Sequence, residues 1–151
     1  MDTGLAGRAV IVTGASEGIG AGIARCFARE GARLAVCARR AGPLEARAGE
    51  LRAAGAADVL AQVADCTSAA DIGLFVSAVQ ARFGGVDVLV NCVGGVDKLA
   101  PFEALDDADW QALWELNVMS AVRMTRAVLA LMRDHAGARI INIASESGVQ
   151  P

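Results

Sequence analysis

An α/β architecture, a parallel sheet sandwiched between two layers of helices, is what three features of this chain predict. Strand-like and helix-like segments alternate along its whole length. A glycine cluster, Gly14-Ala15-Ser16-Glu17-Gly18-Ile19-Gly20, stands at the junction between the first apolar run and the first helical pattern. The composition is 54% hydrophobic, much of it alanine, which suits a sheet covered closely on both faces. Together these describe a doubly wound, three-layer α/β/α sheet of the Rossmann type with right-handed crossovers. At 151 residues the chain holds one such unit, residues 1–151, with no internal repeat or linker.

The first strand is expected over Arg8–Thr13, where Ala9-Val10-Ile11-Val12 is a continuous apolar run. The helix after it, Gly18–Glu30, has apolar residues at helical spacing in Ile19, Ile23, Cys26 and Phe27. Further strands are expected over Arg33–Ala38, Asp58–Ala64, Val86–Asn91 and Arg139–Ala144, and further helices over Pro43–Ala54, Ser68–Phe83 and Asp107–Asp134. Gly31, Gly55 and Gly84-Gly85 punctuate the helix ends, and Ser68 with Asp71 makes a box-like N-cap. The last helix carries two apolar stripes. One is Leu113, Leu116, Ser120, Met124, Ala127 and Leu131; the other is Trp110, Trp114, Val118, Ala121, Thr125, Leu129 and Met132. One stripe is enough to lie on a sheet, so the second implies burial against a neighbouring helix or another subunit.

Several function classes are disfavoured. The net charge is -3 and the basic residues are scattered, which argues against nucleic acid and anionic membrane as partners. No apolar run approaches a bilayer span, and Met1-Asp2-Thr3-Gly4 does not begin an export signal. Cys26, Cys37, Cys66 and Cys92 show no close pairing or metal spacing, so buried free thiols, no metal site and a cytoplasmic location are expected. His135, in a polar stretch at a helix end, reads as a solvated C-terminal-turn residue.

The chemistry is concentrated at strand ends. A strand feeding a helix through Gly14, Ser16, Glu17, Gly18, Ile19 and Gly20 aims backbone N–H groups and the positive helix end at one point, suiting a pyrophosphate. The second strand ends in Ala38-Arg39-Arg40, where dinucleotide folds place an acid for a ribose 2′-hydroxyl or an arginine for a 2′-phosphate. With alanine at the acidic position and Arg39 and Arg40 following, NADP(H) is favoured and NAD(H) remains allowed. Glu17, a carboxylate in the glycine loop, pulls the other way.

The run Thr13-Gly14-Ala15-Ser16-Glu17-Gly18-Ile19-Gly20 resembles the Thr-Gly-x-x-x-Gly-x-Gly loop of short-chain dehydrogenases/reductases. The resemblance implies an oxidoreductase that moves hydride between NADP(H) and a small carbonyl or alcohol substrate. It implies adenine contact at Asp65-Cys66, and a cofactor-side strand end at Asn91-Cys92-Val93-Gly94, where the family has Asn-Asn-Ala-Gly. It implies that Asn117 is the helix asparagine of the proton relay and that Ser145, rather than Ser147, hydrogen-bonds the substrate oxygen. It implies a subunit interface through the 107–134 helix. The family's Tyr-x-x-x-Lys has no match: the chain contains no tyrosine, and its only lysine, Lys98, follows the fourth strand. The resemblance therefore covers the first part of a typical member, with a sheet incomplete on its C-terminal side. An inactive dinucleotide-binding module or gene remnant is the alternative. An apolar open edge at Arg139–Ala144 and an uncovered second stripe lead to an expectation of self-association or aggregation.

Overall fold

The computed structural model describes residues 3–96, 98–133 and 137–145. Its strands are β1 (Ala9–Thr13), β2 (Arg33–Ala38), β3 (Asp58–Val63), β4 (Val88–Asn91) and β5 (Arg139–Asn142). They form one sheet in the order β3-β2-β1-β4-β5, with every neighbouring pair parallel. The chain walks outward from β1 to β3, then returns to lay β4 on the other side of β1. The order reverses between β1 and β4, and that is where an open parallel sheet leaves a crevice beyond its strand ends.

The helices are α1 (Gly18–Arg29), α2 (Ala41–Ala53), α3 (Ala69–Phe83), α4 (Asp107–Trp114) and α5 (Ser120–Met132). Strand alternation divides the core in two. Val10, Val12, Leu34 and Val36 pack with Ala24, Ala28, Leu44 and Leu51 of α1 and α2. Ile11, Ala35 and Leu89 pack on the opposite face with Phe75, Val79, Met124 and Val128 of α3 and α5. Ala24 and Ala28 are completely buried, so the alanine content lets α1 lie close on the sheet. The Asp87 carboxylate fastens the N-terminal edge, accepting from the Ala9 N–H at 2.8 Å and from Arg8 at 2.9 Å. The Ser68 cap forms as expected, accepting from the Asp71 N–H; Asp71 in turn accepts from the Asp65 N–H at 2.9 Å.

The expected single helix over 107–134 is instead two, joined by a π turn over Glu115–Met119. The cause is local. The Ser120 N–H reaches back to the Glu115 carbonyl, while the Ser120 hydroxyl, at 2.5 Å, supplies the bond that the Leu116 carbonyl would otherwise lose. Asp134 and His135, at the expected helix end, lie outside the described residues. The buried line runs Leu116, Ser120, Met124, Val128, Met132, so Met132 belongs to the core rather than to the second stripe. The rest of that stripe is largely uncovered, with Trp110 48%, Trp114 54% and Leu129 41% exposed. Among the described residues β5 is the outer strand, and Ile140 and Ile141 are exposed on it. The thiols depart from expectation in two ways: Cys26 is exposed, and Cys37 and Cys66 are in contact.

Candidate functional site

The glycine turn is built by close backbone approach. Thr13 ends β1 and its hydroxyl ties the neighbouring strand, accepting from the Cys92 N–H at 3.0 Å. Gly14 follows at φ 65°, and a Cβ there would stand 3.0 Å from the Cys92 carbonyl oxygen. A Cβ on Gly20 would stand 2.4 Å from the Gly14 carbonyl oxygen, so α1 starts directly against the turn. Gly18 has φ 56° with open space before it. Glu17 caps α1 without a side-chain bond to the first-turn amides. Those amides therefore face the crevice, and the cradle fits the diphosphate of a dinucleotide.

A cleft of about 230 Å³ opens on one side of the turn, lined by Gly14, Ser16, Glu17, Arg39, Arg40, Asp65, Cys66, Val93 and Gly94 among others. Arg40 bridges to Glu17 at 2.5 Å across it. The Asp65 carboxylate accepts from the Thr67 N–H at 2.9 Å and the Thr67 hydroxyl at 2.8 Å. The Thr67 amide, the Thr67 hydroxyl and the Arg39 charge hold its pKa below the usual carboxylate range. Asp65 thus presents a fixed negative charge near the Arg39 guanidinium.

A second cleft, of about 730 Å³, is lined by Gly18, Ile19, Gly20, Val93, Gly94, Asn117 and Ser145 among others. Glu17, Cys92, Val93 and Gly94 border both clefts, so the two form one groove across the strand ends. Asn117 lies inside the π turn and clasps the loop after β4. Its Oδ1 accepts from the Gly95 N–H at 2.9 Å and its Nδ2 donates to the Gly95 carbonyl at 2.9 Å. The same Nδ2 donates to the Leu113 carbonyl at 3.0 Å. A Cβ on Gly94 would stand 2.9 Å from Asn117 Oδ1, which explains the glycine.

The fold thus brings every sequence-selected residue but one to the groove. Asn91 is the exception: it is buried beneath the groove, where its Nδ2 donates to Thr125 Oγ1 at 3.1 Å and Asn142 Oδ1 at 2.9 Å. It braces β4 against β5 and α5. Sequence reasoning missed Leu116 in the wall of the first cleft and Arg47 of α2, whose Nε and Nη2 reach the Ser16 carbonyl at 3.4 Å. No local signal in the α2 segment marks an arginine that points back to a distant loop. Lys98 is tied to Asp109 at 2.5 Å.

A sequence profile for short chain dehydrogenase matches residues 8–151. The chain belongs to this family. D-threitol dehydrogenase of Mycolicibacterium smegmatis is 38% identical over 146 residues, which are 97% of this chain and 55% of that protein. Among solved structures, L-sorbose reductase from Gluconobacter frateurii, complexed with NADPH and L-sorbose, superposes with TM-score 0.94 at 38% identity, over 100% of this chain and 57% of that one. NADH-dependent reductase A1-R', complexed with NAD, superposes with TM-score 0.91 at 31% identity, over 99% of this chain and 64% of that one. This short chain dehydrogenase sequence spans a little over half the length of the curated relatives it matches.

Proposed function

We propose that residues 1–151 are one NAD(P)-binding Rossmann unit, the cofactor-binding portion of a short chain dehydrogenase that uses NADP(H) in preference to NAD(H) and acts on a small carbonyl/alcohol pair. The observation that carries this reading is the continuous groove over the β1–β4 reversal, with uncapped α1 amides at its centre and two arginines at one end. The amides of Gly18, Ile19 and Gly20 hold the diphosphate, Arg39 the 2′-phosphate, and Asp65 with Cys66 the adenine. When bound, the nicotinamide supplies or accepts the hydride. Ser145 hydrogen-bonds the substrate oxygen. Asn117 is a positioning residue, fixing Gly94 and Gly95 beneath the nicotinamide side. Val93 and Gly94 leave room there for close approach, and Asn91 supports them from below. The NADPH complex of the similar L-sorbose reductase supports the preference; the NAD complex of A1-R' supports NAD(H) as the secondary cofactor.

The Tyr-x-x-x-Lys acid–base pair is not among these residues: no tyrosine is present, and Lys98 is held by Asp109. Positioned acid–base catalysis is worth about 10²–10⁴-fold. The 151-residue protein is therefore expected to bind NADPH but to turn over a panel of small ketones and alcohols at least about 100-fold more slowly than full-length relatives. Turnover at their rate would contradict the proposed division of labour.

A cytoplasmic location and the absence of nucleic-acid or membrane partners belong to the same reading; no described helix is long and apolar enough to cross a membrane. Self-association through the 107–134 helical segment is supported by exposed Trp110, Trp114, Val122 and Leu129. Sedimentation velocity is expected to show oligomers that Leu129→Glu disperses. A wild-type protein that sediments as a monomer would count against this interface.

A further inference from the structure

Cys37 is the penultimate residue of β2 and Cys66 follows β3, and their Sγ atoms stand 3.8 Å apart with both residues buried. Theirs is the one thiol–thiol contact among the described residues. Its two members touch different parts of the groove. Cys66 forms part of the wall of the 230 Å³ cleft. Cys37 lies under the glycine turn, its carbonyl accepting from the Ala15 N–H at 3.2 Å and its sulfur facing the Gly14 amide. The pair is also asymmetric. Cys37 is completely buried, and its contact with Cys66 together with that burial pushes its thiol pKa well up, whereas Cys66 is the one that reaches the cleft wall. Burial alone pushes up Cys92, the other thiol of the groove. Cys66, in the cleft wall, is therefore the sulfur that a small oxidant in the cleft meets first, and Cys37 is the resolving partner behind it.

We propose that Cys37 and Cys66 form a reversible oxidation site in the cofactor groove, in which a hydroperoxide entering the cleft converts the dithiol to a disulfide that weakens dinucleotide binding. With hydrogen peroxide, the Cys66 sulfur attacks one peroxide oxygen; the O–O bond breaks, leaving a sulfenic acid on Cys66 and releasing water. The Cys37 sulfur then displaces the sulfenic oxygen, which leaves as a second water, and the S–S bond forms. The two thiols lose two electrons and two protons in total, and the peroxide is reduced by the same two electrons. An external dithiol reverses the change by exchange. To bond, the sulfurs must close from 3.8 Å to covalent distance. This draws the Asp65–Thr67 segment inward and takes the Cys37 sulfur from the Gly14 amide. The effect on affinity rests on the cofactor reading given above; the crosslink does not.

The test is to treat the purified protein with hydrogen peroxide, alkylate the remaining thiols, map the peptides and titrate NADPH before and after. The expected result is a Cys37–Cys66 linked peptide, with Cys26 and Cys92 still alkylated. NADPH affinity should be at least about tenfold weaker, dithiothreitol should restore it, and prior saturation with NADPH should slow the linkage. Cys26→Ser should leave both readouts unchanged, whereas Cys66→Ser or Cys37→Ser, whichever folds, should remove the link and the peroxide sensitivity. Alkylation of Cys37 and Cys66 after treatment, oxidation of Cys66 to the sulfinic acid without a link, or a link with unchanged affinity would each overturn the proposal. A link in a protein that binds NADPH in neither redox state overturns the cofactor reading, and with it the coupling, while the thiol chemistry stands.

Discussion

Gly20→Ala is expected to weaken dinucleotide binding by about 100-fold and to lower the melting temperature, while Gly22→Ala, two residues further along α1, does neither. The difference comes from what each methyl group would meet. At Gly20 it stands 2.4 Å from the Gly14 carbonyl oxygen and 2.9 Å from the carbonyl carbon, both backbone atoms that cannot rotate aside. The start of α1 must then lift off the turn. Overpacking of this kind costs about 1–3 kcal/mol, and at 2–4 °C per kcal/mol the melting temperature should fall by about 2–12 °C. The same displacement misplaces the first-turn amides, and a shift near 1 Å at a binding centre costs about 100-fold. At Gly22 a Cβ meets nothing within 4 Å, so alanine there is expected to be neutral or to stabilise by about 0.4–1 kcal/mol. Calorimetry and NADPH titration of the two variants check this; wild-type affinity in Gly20→Ala would show that the turn does not cradle the diphosphate.

Arg39→Ala is expected to weaken NADPH by about 10- to 100-fold and to leave NADH nearly unchanged, since a charge-assisted contact to a phosphate is worth about 1.5–3 kcal/mol. Glu17 acts in the opposite sense. Its carboxylate pairs with Arg40 at 2.5 Å, and both side chains are largely exposed. A pair of that kind contributes no more than about 1 kcal/mol, so a doubly charged phosphate outcompetes it, at a small cost in affinity. Glu17→Gln should therefore strengthen NADPH by no more than about fivefold, and Glu17→Arg by more, since it adds a charge of the favourable sign. Equal losses for NADH and NADPH in Arg39→Ala would remove the 2′-phosphate from this end of the groove.

Much of this was legible because its causes are local. The run Ala9-Val10-Ile11-Val12 followed by glycines specifies a buried strand, a turn and a helix start within a dozen residues, and the structure forms them there. The alternation of strands and helices likewise carried the sheet. What escaped the sequence depends on side chains reaching across the fold. The π turn comes from a serine hydroxyl competing for a carbonyl inside an otherwise regular helix. The burial of Asn91 depends on Thr125 and Asn142, far along the chain. The Glu17–Arg40 bridge and the Cys37–Cys66 contact join strand ends and loops that only the parallel sheet places together. The second helix also begins at Ala41, ahead of the expected Pro43, because proline is tolerated within a first helical turn, where its missing N–H costs nothing.

Titration of the purified 151-residue protein with NADPH and NADH, followed by calorimetry or by nicotinamide fluorescence, tests most directly whether the groove over the β1–β4 reversal is a dinucleotide site with a 2′-phosphate preference. Saturable binding at one site per chain, tighter for NADPH than for NADH, is the expected result; the absence of saturable binding by either dinucleotide would contradict it.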